Sequence, residues 1–438
     1  MNYVKYKKYV LIYILIFIKN IISEKIFKIP FYIKYIYYEH DEQDFIGELF
    51  NSEIVTKIKI GSNFQEFEAS IKFSSYHSYL LSNEIKLENV SEGFNKNNSI
   101  TYKEIKNLSF LYDDFLFGSI STDILLLNSK KIENFYFILT NNLKDENYFI
   151  HTPFTIGLRL HEDNKLQENY TNTFLYQIKN NKLSQNLIFT FKFNKKNKLK
   201  GDFLIGENIN LKNFYIIKAG LITINSQQVE FSINFNNVSY GNIKLNDSHD
   251  ALFKLDIGVN IGSYELKIAL LNDIIKISNK TNILCYKKKS YSYFFYIFCD
   301  NNFNYTLLKP INFYYDHLKI TLTYKEYIIK KNNKIYINFL FTDRYYFSVY
   351  YFSRNFLEIF NIYFDFKNQL IYFPKKIAKE YFYKNHLFWA FFIGIIIIII
   401  LIIIIIYFIK IRENELEENY IYEINLNKEK NTDYNKIN

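Results

Sequence analysis

The sequence predicts an all-β, two-lobed ectodomain followed by one C-terminal transmembrane helix. Three observations carry this expectation. Short alternating segments recur through residues 24–386, an uncharged apolar run from Leu387 to Ile409 follows them, and an apolar leader precedes them.

The alternating segments come first in the argument. "VTKIKIG", "FEASIKF", "IENFYFIL", "NLIFTFKF", "VEFSINF" and "LKITLTY" each switch between apolar and polar residues. That is the period of half-buried strands. Polar clusters such as "TNNLKDEN", "NKKNKLKGD" and "KKNNK" separate them as turns. Ile and aromatic residues fill the strand positions, which suits a pleated surface. Long amphipathic helical patterns are scarce. Roughly 360 residues of this kind exceed one small sandwich. The expected division is an N-terminal β lobe at 24–195 and a C-terminal β lobe at 196–386.

The termini set the expected topology. Lys5, Lys7 and Lys8 precede the apolar run Tyr9–Ile18, which fits a signal-peptide core cleaved near Ser23 or a short retained anchor. "LFWAFFIGIIIIIILIIIIIYFI" carries no charge, and about 20 apolar residues suffice to cross the hydrocarbon core. It has no polar face, as a soluble core helix would need. Trp389 and Tyr407 stand near its ends, with Lys410 and Arg412 just after it. Residues 1–23 are therefore expected as signal peptide, 387–409 as the span and 410–438 as a cytosolic tail. The ectodomain would face the secretory lumen or the cell exterior. The two cysteines, Cys285 and Cys299, are an even pair in a compartment that permits disulfides, and a bond between them is favoured over free thiols. Sequons at Asn89, Asn107, Asn169, Asn237, Asn246, Asn279 and Asn304 permit glycosylation, although an Asn-rich chain produces many by chance. The formal charge of +10 is spread among acids and aromatics without a basic stripe, so no nucleic-acid partner is expected. No His pair at metal spacing and no Gly-rich phosphate loop occurs, so no metal or cofactor is expected.

Six stretches, in order, resemble the pepsin-like family of aspartic proteases, in its membrane-anchored form. "IGSNFQEFEASIKFSSYHSYL" keeps Ile60, Gly61, Gln65 and Phe67 of the family's first active-site motif, then places Lys72, Phe73 and Ser74 where the family has Asp-Thr-Gly. "TYKEIKNLSFLYDD" resembles the cleft-covering hairpin through Tyr102 and Asp114, without its glycines. "FTIGLRL" resembles the segment bracing the first loop, through Gly157 and Leu158. "LIFTFKF" and "GDFLIGENI" resemble the lobe-joining strands. "DALFKLDIGVN" resembles the second catalytic motif, with Asp256 and Gly258 in place and Ile257 instead of a hydroxyl residue. "YYFSRNFLEIFNIYFDFKNQLIYFP" resembles the closing motif, with Ser353 in place of its bracing glycine.

The resemblance implies a two-lobed cleft, with Tyr102 and Gly258 lining it, and aspartic endopeptidase chemistry. That chemistry needs two adjacent carboxylates sharing one proton. Lys72 removes the first carboxylate, and residues 45–112 contain no aspartate to replace it. Opposite Asp256, Lys72 would form a salt bridge, or it would snorkel to solvent. Asp256 is then a second-motif acid without a partner, or an ordinary loop residue. The expected function is an inactive, monomeric pseudoprotease ectodomain that binds an extended peptide or a protein. An active protease with atypical residues and a structural membrane protein are the alternatives.

Overall fold

The computed structural model describes residues 26–36 and 45–375, except 74, 76, 88–89, 91, 109–115, 144–150, 159–172, 225–227, 247–249, 255–256, 291–292 and 317. After these it describes only Ile404, Ile406, Tyr407, Lys410 and Arg412, all helical and exposed. Asp256, the leader, nearly all of the expected span and the end of the tail lie outside the described residues. No helix among the described residues is long and apolar enough to cross a membrane. The chain forms two compact units, Met1–Lys375 and Lys376–Asn438.

The first unit is mostly strand. Its first half contains β1 (Phe27–Tyr35), β2 (Ser52–Ile60), β3 (Gln65–Lys72), β4 (Tyr79–Leu81), β5 (Lys103–Leu108), β6 (Leu116–Leu127), β7 (Lys130–Leu143), β8 (Phe154–Gly157), β9 (Ile188–Phe193) and β10 (Lys200–Ile205). The second half contains β11 (Phe214–Lys218), β12 (Gly220–Ile224), β13 (Gln228–Asn234), β14 (Asn237–Tyr240), β15 (Ile243–Leu245), β16 (Asp250–Lys254), β17 (Asn260–Ile261), β18 (Cys285–Lys289), β19 (Phe294–Asp300), β20 (Ile311–Tyr315), β21 (Leu318–Leu322), β22 (Ile328–Lys331), β23 (Lys334–Ile337), β24 (Phe339–Thr342), β25 (Tyr350–Ser353), β26 (Tyr363–Asp365) and β27 (Leu370–Pro374). The longest helix, Tyr264–Thr281, starts at Ser263, whose hydroxyl accepts from the Leu266 N–H.

A 13-stranded sheet runs β11-β27-β26-β9-β10-β1-β2-β3-β8-β4-β7-β6-β5. It joins the halves, because β11, β26 and β27 come from the second. The expected lobe boundary at 195/196 falls between β9 and β10, which pair with each other. A 10-stranded sheet and a four-stranded sheet complete the second half.

The two halves repeat one pairing pattern. β3 runs parallel to β8, and β4 pairs antiparallel with β8 and parallel with β7. β16 likewise runs parallel to β25, and β17 pairs antiparallel with β25 and parallel with β24. Each half thus carries a strand, a loop and a short crossing strand threaded between two neighbours. Gly157 shows how tight the crossing is. A Cβ there would sit 2.5 Å from the carbonyl oxygens of Ser75 and His77.

Aromatic rings fill the shared core. Phe73 is 3 % exposed. Its ring lies 5.7 Å from that of Phe189, 5.9 Å from Phe231 and 5.2 Å from Phe364. Burial of such a side chain contributes roughly 1.5–3 kcal/mol, and ring pairs about 0.5–1.5 kcal/mol more. A smaller apolar cluster packs Ile46 and Leu49, from the helix Phe45–Phe50, against Ile257, Val259 and Ile261.

Candidate functional site

The site is built where the two crossed loops leave β3 and β16. Gly61, at φ +86°, turns β2 into β3 and fixes the hairpin register from Ile60↔Gln65 to Val55↔Ser70. Continuing that register puts Glu53 opposite Lys72. Lys72 Nζ lies 3.0 Å from Glu53 Oε1, with side chains 21 % and 9 % exposed. Glu53 Oε2 is buried and accepts no hydrogen bond. On its other side Glu53 faces Lys34 across the β1–β2 pairing. Lys34 Nζ instead meets Glu68 Oε2 at 2.5 Å, and the Tyr32 hydroxyl donates to the other Glu68 oxygen. Burial raises the Glu68 carboxyl, but the hydrogen bonds from Lys34 and Tyr32 outweigh it, and its pKa ends below the ordinary value.

His151 precedes β8 and feels the same charges. Burial pushes its imidazole below the ordinary 6.5; Glu53 opposes that shift, and Lys72 and Lys34 reinforce it. The first-motif position is therefore held by an ammonium–carboxylate pair beside an imidazole that favours its neutral form. Among the described residues, the acid paired with Lys72 comes from the preceding strand. Sequence reasoning missed Glu53 because it searched along the chain, although the Gly61 hairpin register pointed to it. The salt bridge expected between Lys72 and Asp256 lies outside the described residues, since it involves Asp256.

The loop after β3 departs from the family geometry as well. Phe73 sends its ring into the core where the family places a hydroxyl. The Ser75 hydroxyl donates to His77 O at 2.9 Å, within its own loop.

On the second side, Gly258 is in place and tightly enclosed. Its N–H donates to Leu49 O at 2.8 Å, and Asn355 Nδ2 donates to its carbonyl. A Cβ at this position would lie 2.3 Å from Arg354 Nη2 and 2.7 Å from Leu49 O. Arg354 is 3 % exposed. Its Nη1 donates to Ser52 O at 2.9 Å and its Nη2 donates to Ser52 Oγ. Asn260 Oδ1 accepts from Ser353 N at 3.0 Å and from Ser353 Oγ at 3.1 Å. Arg354 was also missed, though it stands directly after Ser353 in the closing motif, where the family has an aspartate.

The two loops are not congruent. Lys72 pairs with Gly157, but the residue opposite Ser353 is Lys254, two positions before Asp256. Leu158 N donates to Lys72 O at 2.9 Å, whereas Arg354 N donates to Ile257 O at 3.2 Å.

Tyr102 lies at one end of the β5–β6 pairing. The β5–β6 pairing runs from Lys103↔Thr122 to Leu108↔Gly118. The Tyr102 hydroxyl is 2.9 Å from Ser121 Oγ and its ring meets Phe94. It packs beside the Lys103↔Thr122 end of the pairing. Asp123, 1 % exposed and bonded by Thr101 Oγ1, stands on β6.

Cys285 and Cys299 are disulfide-bonded, directly opposite each other on β18 and β19. Among the described residues no group of His, Cys, Asp and Glu could hold a metal ion.

A mostly β chain whose halves repeat a crossed-loop pairing, joined by one continuous sheet, is consistent with the pepsin-like aspartic-peptidase fold. The family model for eukaryotic aspartyl proteases matches residues 53–376, which is more than half of the chain. The chain belongs to that family. No curated protein sequence matches it.

Proposed function

We propose that this chain is a membrane-held, catalytically inactive member of the family that binds an extended peptide or protein segment without cleaving it. One observation carries the reading: Lys72, at the first catalytic position by the family register, is paired with Glu53. A dyad needs one ionised and one protonated carboxyl sharing a proton. An ammonium at that position supplies no second acid. Phe73 and Ile257 also replace both hydroxyl residues that follow the catalytic positions. What the family retains without chemistry is strand-like recognition of backbone. The apolar run 387–409 supports membrane attachment.

The test is incubation of the purified full-length chain with a peptide library from pH 4 to 7, beside an Asp256→Ala variant. The expected result is saturable peptide binding and no cleavage in either protein. Cleavage by the parent that disappears in Asp256→Ala would overturn the inactive reading.

A further inference from the structure

We propose that Asn304 carries an N-linked glycan. The inference rests on the reading of this domain as lumenal or exterior. The Cys285–Cys299 bond supports that reading, since disulfides persist in oxidising compartments. An acceptor sequence needs an exposed asparagine amide and a hydroxyl two residues on that can engage it. Asn304-Tyr305-Thr306 meets both conditions. Asn304 and Thr306 are exposed, on the loop that follows β19. Thr306 Oγ1 donates to Asn304 Oδ1 at 2.6 Å. The Asn304 side chain makes no capping bond to the short turn Tyr305–Leu307 that it precedes. Its amide is held by the sequon hydroxyl and is not spent on the fold. In the transfer, Asn304 Nδ2 forms a bond to the anomeric carbon of an oligosaccharide linked to a lipid through pyrophosphate. The bond from that carbon to the pyrophosphate oxygen breaks, and the lipid pyrophosphate leaves with the electron pair. The amide proton passes to a base of the transferase.

The other sequons that lie wholly within the described residues are built differently. Asn237 stands on β14, between β15 and β20, and its Oδ1 is buried. Its partner Ser239 is buried and donates to Gly241 O at 3.2 Å. A glycan there would block the pairing of the four-stranded sheet. Asn97-Asn98-Ser99 has an exposed asparagine, but Ser99 is buried, and its hydroxyl accepts from the Ser62 N–H at 2.9 Å. Asn279 is exposed in the last turn of the helix Tyr264–Thr281, where Thr281 Oγ1 donates to Ile277 O at 2.9 Å and not to the asparagine. Only at Asn304 are the two sequon side chains both exposed and joined to each other. The surroundings supply a reason for cover. Leu307, in the same turn, is 55 % exposed, and Leu284 is 62 % exposed. Phe303 N donates to Asp300 O at 3.0 Å and Asp300 N donates to Leu284 O at 3.2 Å, so the Asn304 loop is tied to the residue before Cys285. A bulky, solubilising glycan on this loop would shield exposed apolar surface beside the disulfide.

The test is production of the full-length chain in a eukaryotic secretory host, followed by mass spectrometry of the proteolytic peptide that contains Asn304 and a count of free thiols. The expected result is an N-acetylhexosamine-containing mass increment on that peptide and no free thiol. The increment should be lost in Asn304→Gln and in Thr306→Val, and kept in Thr306→Ser. An unmodified Asn304 in a chain whose Cys285–Cys299 bond has formed would overturn the glycan and leave the lumenal reading standing. A glycan on Asn237 or Asn279 with Asn304 unmodified would overturn the assignment of the site. Two free thiols and no glycan at any sequon would overturn the lumenal reading and the glycan together.

Discussion

Lys72 and Glu53 are each understandable only through the other. A largely buried carboxylate without a countercharge is costly, and removing one partner of such a pair typically destabilises by about 3–5 kcal/mol. Lys72→Met and Glu53→Leu should each fall in that range, measured by urea unfolding, whereas the double variant should recover most of the loss, because apolar replacement of a whole pair is often neutral. A double variant as unstable as the sum of the two singles would show that the pair is not coupled. The same geometry predicts the outcome of restoring the family residue. Lys72→Asp would set a carboxylate against Glu53, and like charges at this distance resist joint ionisation. The variant should show no peptidase activity above background, and lower stability than the parent. Lys72→Asp with Glu53→Gln should regain stability. Activity from Lys72→Asp alone, read by peptide cleavage, would mean that the remaining loop geometry is sufficient for catalysis.

The crossed loops place the tightest demands on particular elements. Gly258 lies between the helix Phe45–Phe50 and Arg354, and its missing Cβ leaves room for both. Gly258→Ala should therefore destabilise by about 2–3 kcal/mol through overpacking and displacement of the guanidinium. Arg354→Ala should lose a comparable amount, since hydrogen bonds to charged groups are worth about 1.5–3 kcal/mol when their neutral partner stays buried. Thermal or urea unfolding of the two variants checks both, and a change below about 0.5 kcal/mol would contradict the packing. These elements also show what the sequence could disclose. Strand alternation made β2, β3 and β7 visible, and the Gly61 turn placed the first motif. The disulfide partners were the only two cysteines. The lobe-joining sheet was less legible, because the pairing of β26 with β9 depends on contacts distant in sequence.

At the scale of the whole molecule, one sheet runs through both halves while the charged pairs sit around it, and acid should weaken the domain. Three shifted groups decide the sign. His151 has a folded pKa depressed below 6.5, chiefly by burial. Between its folded and unfolded pKa values the unfolded chain binds more protons, so stability rises with pH through that window and falls as pH drops below about 6.5. Glu68 is lowered because the bonds from Lys34 and Tyr32 outweigh its burial. Asp343 is lowered chiefly by its hydrogen bond from Lys287, with Lys267 adding to it. Their stabilisation is present above the ordinary carboxylate range and is lost as pH falls through their folded values. All three act in one direction, so the unfolding midpoint should be highest near neutrality and decline from pH 6.5 toward pH 4. His151→Gln should flatten the upper part of that decline, just below pH 6.5, while leaving the carboxylate part below it. Urea midpoints collected at half-unit pH intervals would resolve the two parts. A midpoint that increased toward pH 4 would contradict the charge arrangement described for β1, β2 and β3, and would suggest a domain built to work in acid.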